Sequence, residues 1–266
     1  MVSWSDGQTH FVCEEGDIMR LNGKKAIITG GASGFGRETA LRFVKEGADV
    51  VLLDINLDEA KKMAEEIALS GGKAYAVQVD VSNEDSVKKA FAEALAALGV
   101  VDILINCAGF GRSAKIQDLT LTQWQQLISV NMTGTFLCSR EIIPHMIERQ
   151  YGKIVNLASI CAQTGRMVAV DYAGSKSGIV GITRALALQV APDGINVNAI
   201  APGPVVTPLF EKNYTQEQMN KLLSTIPFKR KGTPVDIANL ILFLASDESG
   251  WITGEVIAIN GGAFIG

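Results

Sequence analysis

The chain has 266 residues, 47% of them apolar and 20% charged, with 24 Lys and Arg against 28 Asp and Glu. Those proportions exclude long disorder and collagen-like repeats, and a net charge of −4 argues against a nucleic-acid-binding surface. At about 150 residues per domain, one large domain or two small ones are admitted, and a chain this size needs no disulfide or metal staple.

The first twenty residues are polar and acidic, lack the apolar core of a signal peptide, and are read as an N-terminal extension (residues 1–20). A strand is expected at 25–29, entering glycines, and a helix at 34–47. A strand at 49–53, a helix at 57–70 and a strand at 74–79 follow, then a helix at 84–98 and a strand at 102–105. Helical stretches between 122 and 149 lead to a strand at 153–157, a helix at 172–190, a strand at 196–200, a helix at 235–245 and a strand at 256–259. Seven strands alternating with helices predict an α/β fold with a doubly wound parallel seven-stranded sheet, a Rossmann fold. No linker divides 21–266, which is read as a single domain, and the irregular stretch 202–230 is read as a flap over a site.

Cys13, Cys107, Cys138 and Cys161 show no paired spacing and are read as reduced, mostly buried apolar side chains. His10 and His145 stand alone, so no zinc pattern exists and no metal is expected. No apolar run approaches the roughly 18 residues needed to span a bilayer, and a cytoplasmic location is expected, with no membrane or nucleic-acid partner.

Between the first strand and first helix runs Thr29-Gly30-Gly31-Ala32-Ser33-Gly34-Phe35-Gly36. Gly30 permits a tight turn, Gly34 lets backbone approach a pyrophosphate, and Gly36 lets the helix pack closely, while the helix N-terminus offers N–H donors to phosphates. Asp54 ends the second strand 18 residues after Gly36, where a carboxylate accepts from both adenosine ribose hydroxyls and repels a 2′-phosphate. Helix capping is the alternative for Asp54.

With this loop, Asp80 after the third strand, Asn106-Cys107-Ala108-Gly109 after the fourth and Asn131 beyond it, the sequence resembles the short-chain dehydrogenase/reductase family over residues 21–262. Ser159 after the fifth strand, Tyr172-Ala-Gly-Ser-Lys176, Pro202-Gly203 with Thr207, and Asn260-Gly261-Gly262 complete the resemblance. Cys107 departs from it, since the family most often has a second Asn there. The resemblance implies a nicotinamide cofactor held by Gly30, Ser33, Gly34, Phe35, Gly36, Asp54, Asn106, Ala108, Gly109, Tyr172, Lys176, Pro202 and Gly203. It adds adenine contacts from Asp80 with Val81 and carboxamide contacts from Thr207 and the backbone around Val205. It also implies a homotetramer or homodimer.

Tyr172 and Lys176 lie four apart and so share a helix face. A phenol with an ordinary value of about 10 needs nearby positive charge to act as a base. Lys176 and an oxidised nicotinamide are expected to supply that charge, making Tyr172 the acid/base at the substrate oxygen. The resemblance assigns Ser159 a hydrogen bond to that oxygen, and Asn131 a water that relays protons from Lys176. NAD is expected over NADP, because Ser33 and Ile55 stand where NADP-using relatives carry basic residues, and Arg37 is read as a helix-surface residue.

The substrate cleft is expected to be mainly apolar, walled by Phe110, Arg112, Ile160, Cys161, Gln163, Met167, Leu209, Phe210 and Tyr214. Arg112 and Arg166 are read as solvent-exposed, with pairing to an anionic substrate group as the alternative. The leading expectation is an NAD-dependent dehydrogenase of a small secondary alcohol or its ketone. The alternatives are a 3-oxoacyl-[acyl-carrier-protein] or acyl-thioester reductase and a non-catalytic dinucleotide sensor. Asp193 speaks against carrier docking, and Arg149 could replace part of a basic patch.

Overall fold

Alternation along each strand sends neighbouring side chains to opposite faces of a sheet. In the runs 25–29 and 49–54 the interior residues on both faces are apolar, so neither face is suited to water. The computed structural model buries them accordingly. It describes residues 19–165, 169–205, 215–224 and 226–265, with the backbone of 4–5 and 8–9; the side chains of 218, 219 and 222 are left out. Two strands of two residues, β1 (Trp4–Ser5) and β2 (Gln8–Thr9), pair antiparallel near the start, too short for any pattern to announce them.

The main sheet has seven parallel strands in the order β5-β4-β3-β6-β7-β8-β9. They are β3 (Lys25–Thr29), β4 (Asp49–Asp54), β5 (Ala74–Gln78), β6 (Ile103–Asn106), β7 (Gly152–Leu157), β8 (Ile195–Pro202) and β9 (Val256–Ile259). The chain runs outward from β3 to β5 and returns to pair β6 with β3, in register Thr29 to Asn106. The carboxyl ends of β3 and β6 therefore flank the point where strand order reverses, and a crevice opens there in such sheets.

Helices cover both faces. On one, α1 (Gly34–Lys45), α2 (Leu57–Leu69) and α9 (Pro234–Ala245) contribute Phe43, Met63, Ile67, Ile237 and Ile241 to a core with Ile28, Leu52 and Ile105. On the other, α3 (Glu84–Leu98), α5 (Gly134–Arg149) and α7 (Val170–Val190) contribute Phe91, Ile142, Met146 and Val190 against Ile27, Val51 and Leu104. Helix starts follow local chemistry. Asn56 and Asn83 accept the N–H groups of Glu59 and Ser86, and Thr233 forms a capping box with Asp236 ahead of Pro234.

Three expectations are modified. The stretch 122–149 divides into α4 (Leu121–Ile128), a π-helical turn at Ser129–Thr133, and α5. A short α6 (Cys161–Thr164) follows β7, and α8 (Gln216–Ser224) lies inside the segment read as irregular. Arg20, read as part of the N-terminal extension, is tied to the domain: it grips Glu248 through two hydrogen bonds of 2.6 and 2.9 Å, beside the fully buried Leu21. None of the described helices is long and apolar enough to cross a membrane.

The fully buried Phe43 and the exposed Thr233 cap predict a graded response. Phe43→Ala is expected to lose about 3–5 kcal/mol and Thr233→Ala about 1 kcal/mol in urea unfolding. Equal midpoint shifts for the two variants would contradict this account of the core.

Candidate active site

The glycine loop is shaped by backbone crowding. Gly30 has φ +65°, and its N–H donates to Leu53 O at 2.7 Å. A Cβ on Gly36 would stand 2.2 Å from Gly30 O, so α1 can settle onto the turn only with glycine there. Gly34, at φ +52°, would meet nothing within 4 Å, so the face beside it is open. Ser33 caps α1 by position without a side-chain hydrogen bond, and no acid lies in the first turn. A helix end with uncapped N–H groups, exposed Ser33 and Gly34 and an open face fits a bound pyrophosphate. Phe35 is the exception: its side chain packs on the core, which leaves only its backbone to face a ligand.

Asp54 does not itself cap α2, a place taken by Asn56. Asp54 Oδ2 accepts from Ala32 N at 3.0 Å and its Oδ1 from Asn56 N at 3.0 Å, so the carboxylate ties the glycine loop to the turn before α2. Each oxygen keeps a lone pair for a ribose hydroxyl. Arg37 forms a bidentate pair with Glu66 at 2.7 and 2.8 Å, a helix-surface contact as expected. Asp80 is turned to Ser82, whose hydroxyl and N–H both donate to Oδ1. Val81 is buried against Gly134. Asp80 also lines an open groove of about 390 Å³ with Ile55, Leu57 and Gln78, remote from Tyr172 and Lys176.

Across the switch point, Ala108 N–H donates to Thr29 Oγ1 at 3.1 Å, and Ala108 lies against Gly30. The Asn106 side chain turns inward. Its amide donates inward to Ser139 Oγ and Asn156 Oδ1, because the last residue of β6 points between sheet and helices. The same network continues through Asn156 to Thr183 and through Ser139 and Thr135 to the carbonyl of Asn131. Pro202 O accepts from Ile160 N, which ties the end of β8 to the loop carrying Ser159. Gly203 is pressed on Asn260, while Gly261 and Gly262 pack on Ile226 and Pro227 rather than facing the cleft. Val205 is buried and bridges to Gly232. Thr207, Arg166, Met167, Leu209, Phe210 and Tyr214 lie outside the described residues, as do Cys13 and His10.

The remaining candidates converge. Ser159, in the loop after β7, accepts Cys161 N at 3.1 Å, and its hydroxyl lies within electrostatic reach of the Tyr172 phenol. Lys176, one turn along α7, is 4% exposed and donates to Leu157 O at 2.6 Å. Its Nζ is 5.7 Å from the Tyr172 ring centroid. Asn131 is fully buried in the π-helical turn. It receives Phe110 N and donates to Phe110 O, at 3.0 and 2.9 Å, and its Oδ1 sits 3.0 Å from where a Gly109 Cβ would be. Ser175 donates to Tyr172 O and accepts weakly from Asn131, which locks the turn to α7.

Electrostatics depart from expectation. Burial pushes the Tyr172 phenol up to about 12, with the Ser159 hydroxyl opposing, and burial pulls Lys176 down to about 8. Desolvation thus dominates both groups in the protein by itself. Cys107 is likewise pushed up to about 12 by burial, an inert thiol. Neither it nor Cys138 nor Cys161 is in a disulfide.

Two arginines were misjudged from sequence. Arg112 is tucked against Asp171, and Arg149 pairs with Asp102 at 2.8 Å while donating to Val101 O. His145 accepts Val101 N at 3.1 Å, a structural role. Sequence reading also missed Thr135, Ser139, Asn156 and Thr183. Their signal was polar residues at helical spacing, 131-135-139, on a face otherwise apolar.

A parallel doubly wound sheet with a glycine turn at its switch point and a Ser-Tyr-Lys cluster beside it defines a dinucleotide-dependent oxidoreductase. A family profile described as Enoyl-(Acyl carrier protein) reductase matches residues 30–263. The chain is 40% identical over 244 residues to the (2S)-[(R)-hydroxy(phenyl)methyl]succinyl-CoA dehydrogenase subunit BbsD of Thauera aromatica, across 92% of this chain and 98% of that protein. It is 38% identical over 247 residues to the 3-oxoacyl-[acyl-carrier-protein] reductase FabG of Aquifex aeolicus, across 92% and 99%. The crystal structure of gox2181 superposes with a TM-score of 0.89 at 31% identity, across 92% and 97%. The chain belongs to the short-chain dehydrogenase/reductase family, oxidoreductases that transfer hydride between a nicotinamide cofactor and an alcohol or ketone.

The buried ammonium makes stability depend on pH. Below about pH 8 Lys176 is protonated folded and unfolded, and burial costs its full amount. Between about 8 and 10.5 the unfolded chain binds more protons, so this cost fades and stability rises. The Tm difference of Lys176→Met minus wild type is therefore expected to fall steadily as pH climbs through that range. Calorimetry checks this, and a difference independent of pH contradicts the burial.

Proposed function

We propose that this protein is an NAD(H)-dependent dehydrogenase of a small secondary alcohol, polyol, hydroxy acid or cyclic alcohol, or the reductase of the matching ketone. The observation that carries the reading is the Ser159 hydroxyl set within electrostatic reach of the Tyr172 phenol, one helical turn from the buried Lys176. The nicotinamide cofactor, when bound, exchanges the hydride and in its oxidised form adds positive charge.

The chain's own residues handle the proton and the orientation. Cys161 N–H holds Ser159 Oγ as acceptor, which leaves the serine proton available to a substrate oxygen beside the phenol. Tyr172, held protonated by burial, is ready to donate to a ketone. For alcohol oxidation it takes the hydroxyl proton once positive charge offsets the burial. Lys176 supplies part of that charge. The side chain of Asn131 is engaged by Phe110, so a relay water falls to its main-chain carbonyl, which already accepts the Thr135 hydroxyl at 2.8 Å. Cys161 lies within electrostatic reach of Tyr172 and stands as a substrate-wall residue. Cytoplasmic residence and a homotetramer or homodimer accompany this reading.

NAD preference is supported by Asp54 at the end of β4, by uncharged Ser33 and Ile55, and by Arg37, whose guanidinium is already bidentate on Glu66. No guanidinium stands ready beside Asp54 for a 2′-phosphate among the described residues. Side-by-side kinetics are expected to favour NAD(H) over NADP(H) by at least about tenfold in kcat/KM, or about 1.4 kcal/mol. Equal efficiency with NADP(H) would remove this reading.

The relatives named for 3-oxoacyl reduction favour a second reading, reduction of an acyl thioester. Against it, Arg149 is engaged with Asp102 and cannot serve a carrier's acidic helix. The decisive comparison sets a panel of alcohols and ketones with NAD(H) against an acetoacetyl thioester with NADPH. Higher efficiency on the thioester overturns the alcohol reading. With the best substrate, Tyr172→Phe is expected to lose turnover by about 10²-fold or more while NADH affinity stays within about twofold. Undiminished turnover would refute the proton-transfer role.

A further inference from the structure

The loop after β6 is held at three consecutive residues, each by a different part of the site. Phe110 exchanges two hydrogen bonds with Asn131. Gly111 lies so close to the Tyr172 ring that a Cβ would stand 3.2 Å from Cε2. Arg112 reaches two helices: Nη2 donates to Gln123 O at 2.9 Å, and Nε lies 3.2 Å from Asp171 Oδ2.

Asp171 immediately precedes Tyr172, is 0% exposed, and its Oδ1 accepts the Tyr172 backbone N–H at 2.8 Å. It stands in the first turn of α7, where the helix dipole favours a carboxylate. Arg112 Nε and Asp171 Oδ2 are both buried, and neither has an aligned hydrogen bond among the described residues, so they meet as charges. Removing one partner of such a pair leaves a buried charge unanswered.

We infer that Arg112 and Asp171 are positioning residues for Tyr172: their ion pair pins the loop after β6 to the first turn of α7, and so orients the phenol and sets the near wall of the substrate cleft. The inference rests on the acid–base reading of Tyr172. A purely stabilising surface ion pair would contribute little and leave the chemistry untouched. This one is buried, joins the phenol's own backbone to the glycine covering its ring, and lies where an ångström of displacement costs rate.

Among the described residues, the groups that face Tyr172 are the Ser159 hydroxyl after β7, Cys161 from α6, Lys176 on α7 with Cys107 facing it, and the Arg112–Asp171 pair at its backbone. Changing either member of the pair therefore alters the charge beside Tyr172 in opposite senses. Arg112→Met leaves the carboxylate unanswered and raises the pH midpoint of alcohol oxidation. Asp171→Asn leaves the guanidinium unanswered and lowers it.

The test compares wild type, both single variants and the double variant Arg112→Met/Asp171→Asn. Each single variant is expected to lose about tenfold in kcat and to raise the alcohol KM, with NADH affinity by fluorescence within about twofold. Their pH midpoints move apart by about half a unit each, and the double variant returns towards wild type. If Arg112→Met does not fold, Arg112→Lys serves: it keeps the charge and the wild-type midpoint but loses the contact to Gln123 and with it part of kcat. A folded Arg112 variant with unchanged kcat and midpoint overturns the inference, as do single variants that lower only Tm. Tyr172→Phe, assayed in parallel, separates the two levels. Full turnover there removes the acid–base reading, whereas lost turnover there beside an unaffected Arg112→Met removes only the pair.

Discussion

A lysine ammonium driven into the interior, with its hydrogen bond to Leu157 O at 2.6 Å, anchors the geometry of this protein. Burying that charge disfavours it enough to pull Lys176 down to about 8, so the contact persists only because the structure around it is over-determined. By planting α7 on the carboxyl end of β7, Lys176 brings Tyr172, one turn earlier, onto Ser159. The same placement brings Lys176 Nζ to 3.9 Å from the position a Gly109 Cβ would take, an ordinary contact, while Asn131 Oδ1 crowds that position at 3.0 Å. Helix and strand end are thus mutually fixed by one side chain.

A second constraint supports the first from beneath. From Asn131 the buried hydrogen bonds run through Thr135 and Ser139 on α5 to Asn106 and Asn156 in adjacent strands, and on to Thr183 on α7. Buried polar groups are tolerable when nearly all are partnered, and such networks then specify one packing. Here the network ties the π-helical turn to the sheet and to the helix that carries Tyr172 and Lys176. Rigidity at the catalytic cluster is therefore shared among five elements rather than supplied by the loop itself. Asn106 Oδ1 remains without a partner at the network's centre.

At the other half of the crevice the controlling effect is steric. Gly36 against Gly30 and Gly30 against Ala108 leave no room for a Cβ, and they bring α1, β3 and β6 together at the switch point. Asp54 draws the loop to β4 through Ala32. The arrangement leaves the exposed edge, Ser33 and Gly34, facing outward with open donors, which is the geometry a phosphate needs.

Much of this was legible in the sequence because it is local or periodic. Apolar runs of strand length with two-face burial, helical spacing and glycine punctuation set the seven-strand alternation, and the spacing from Tyr172 to Lys176 set their shared helix face. Motif residues marked where the glycine turn and the Ser-Tyr-Lys cluster would fall. The tertiary structure alone decided which polar side chains turn inward, since Asn106 and Arg112 read as site or surface residues until their partners arrive from strands and helices distant in the chain. It also decided the charge states, because the burial that raises Tyr172 and lowers Lys176 depends on how many elements close over them. Local pattern encodes what one segment does by itself, whereas desolvation and ion pairing depend on what other segments bring to it.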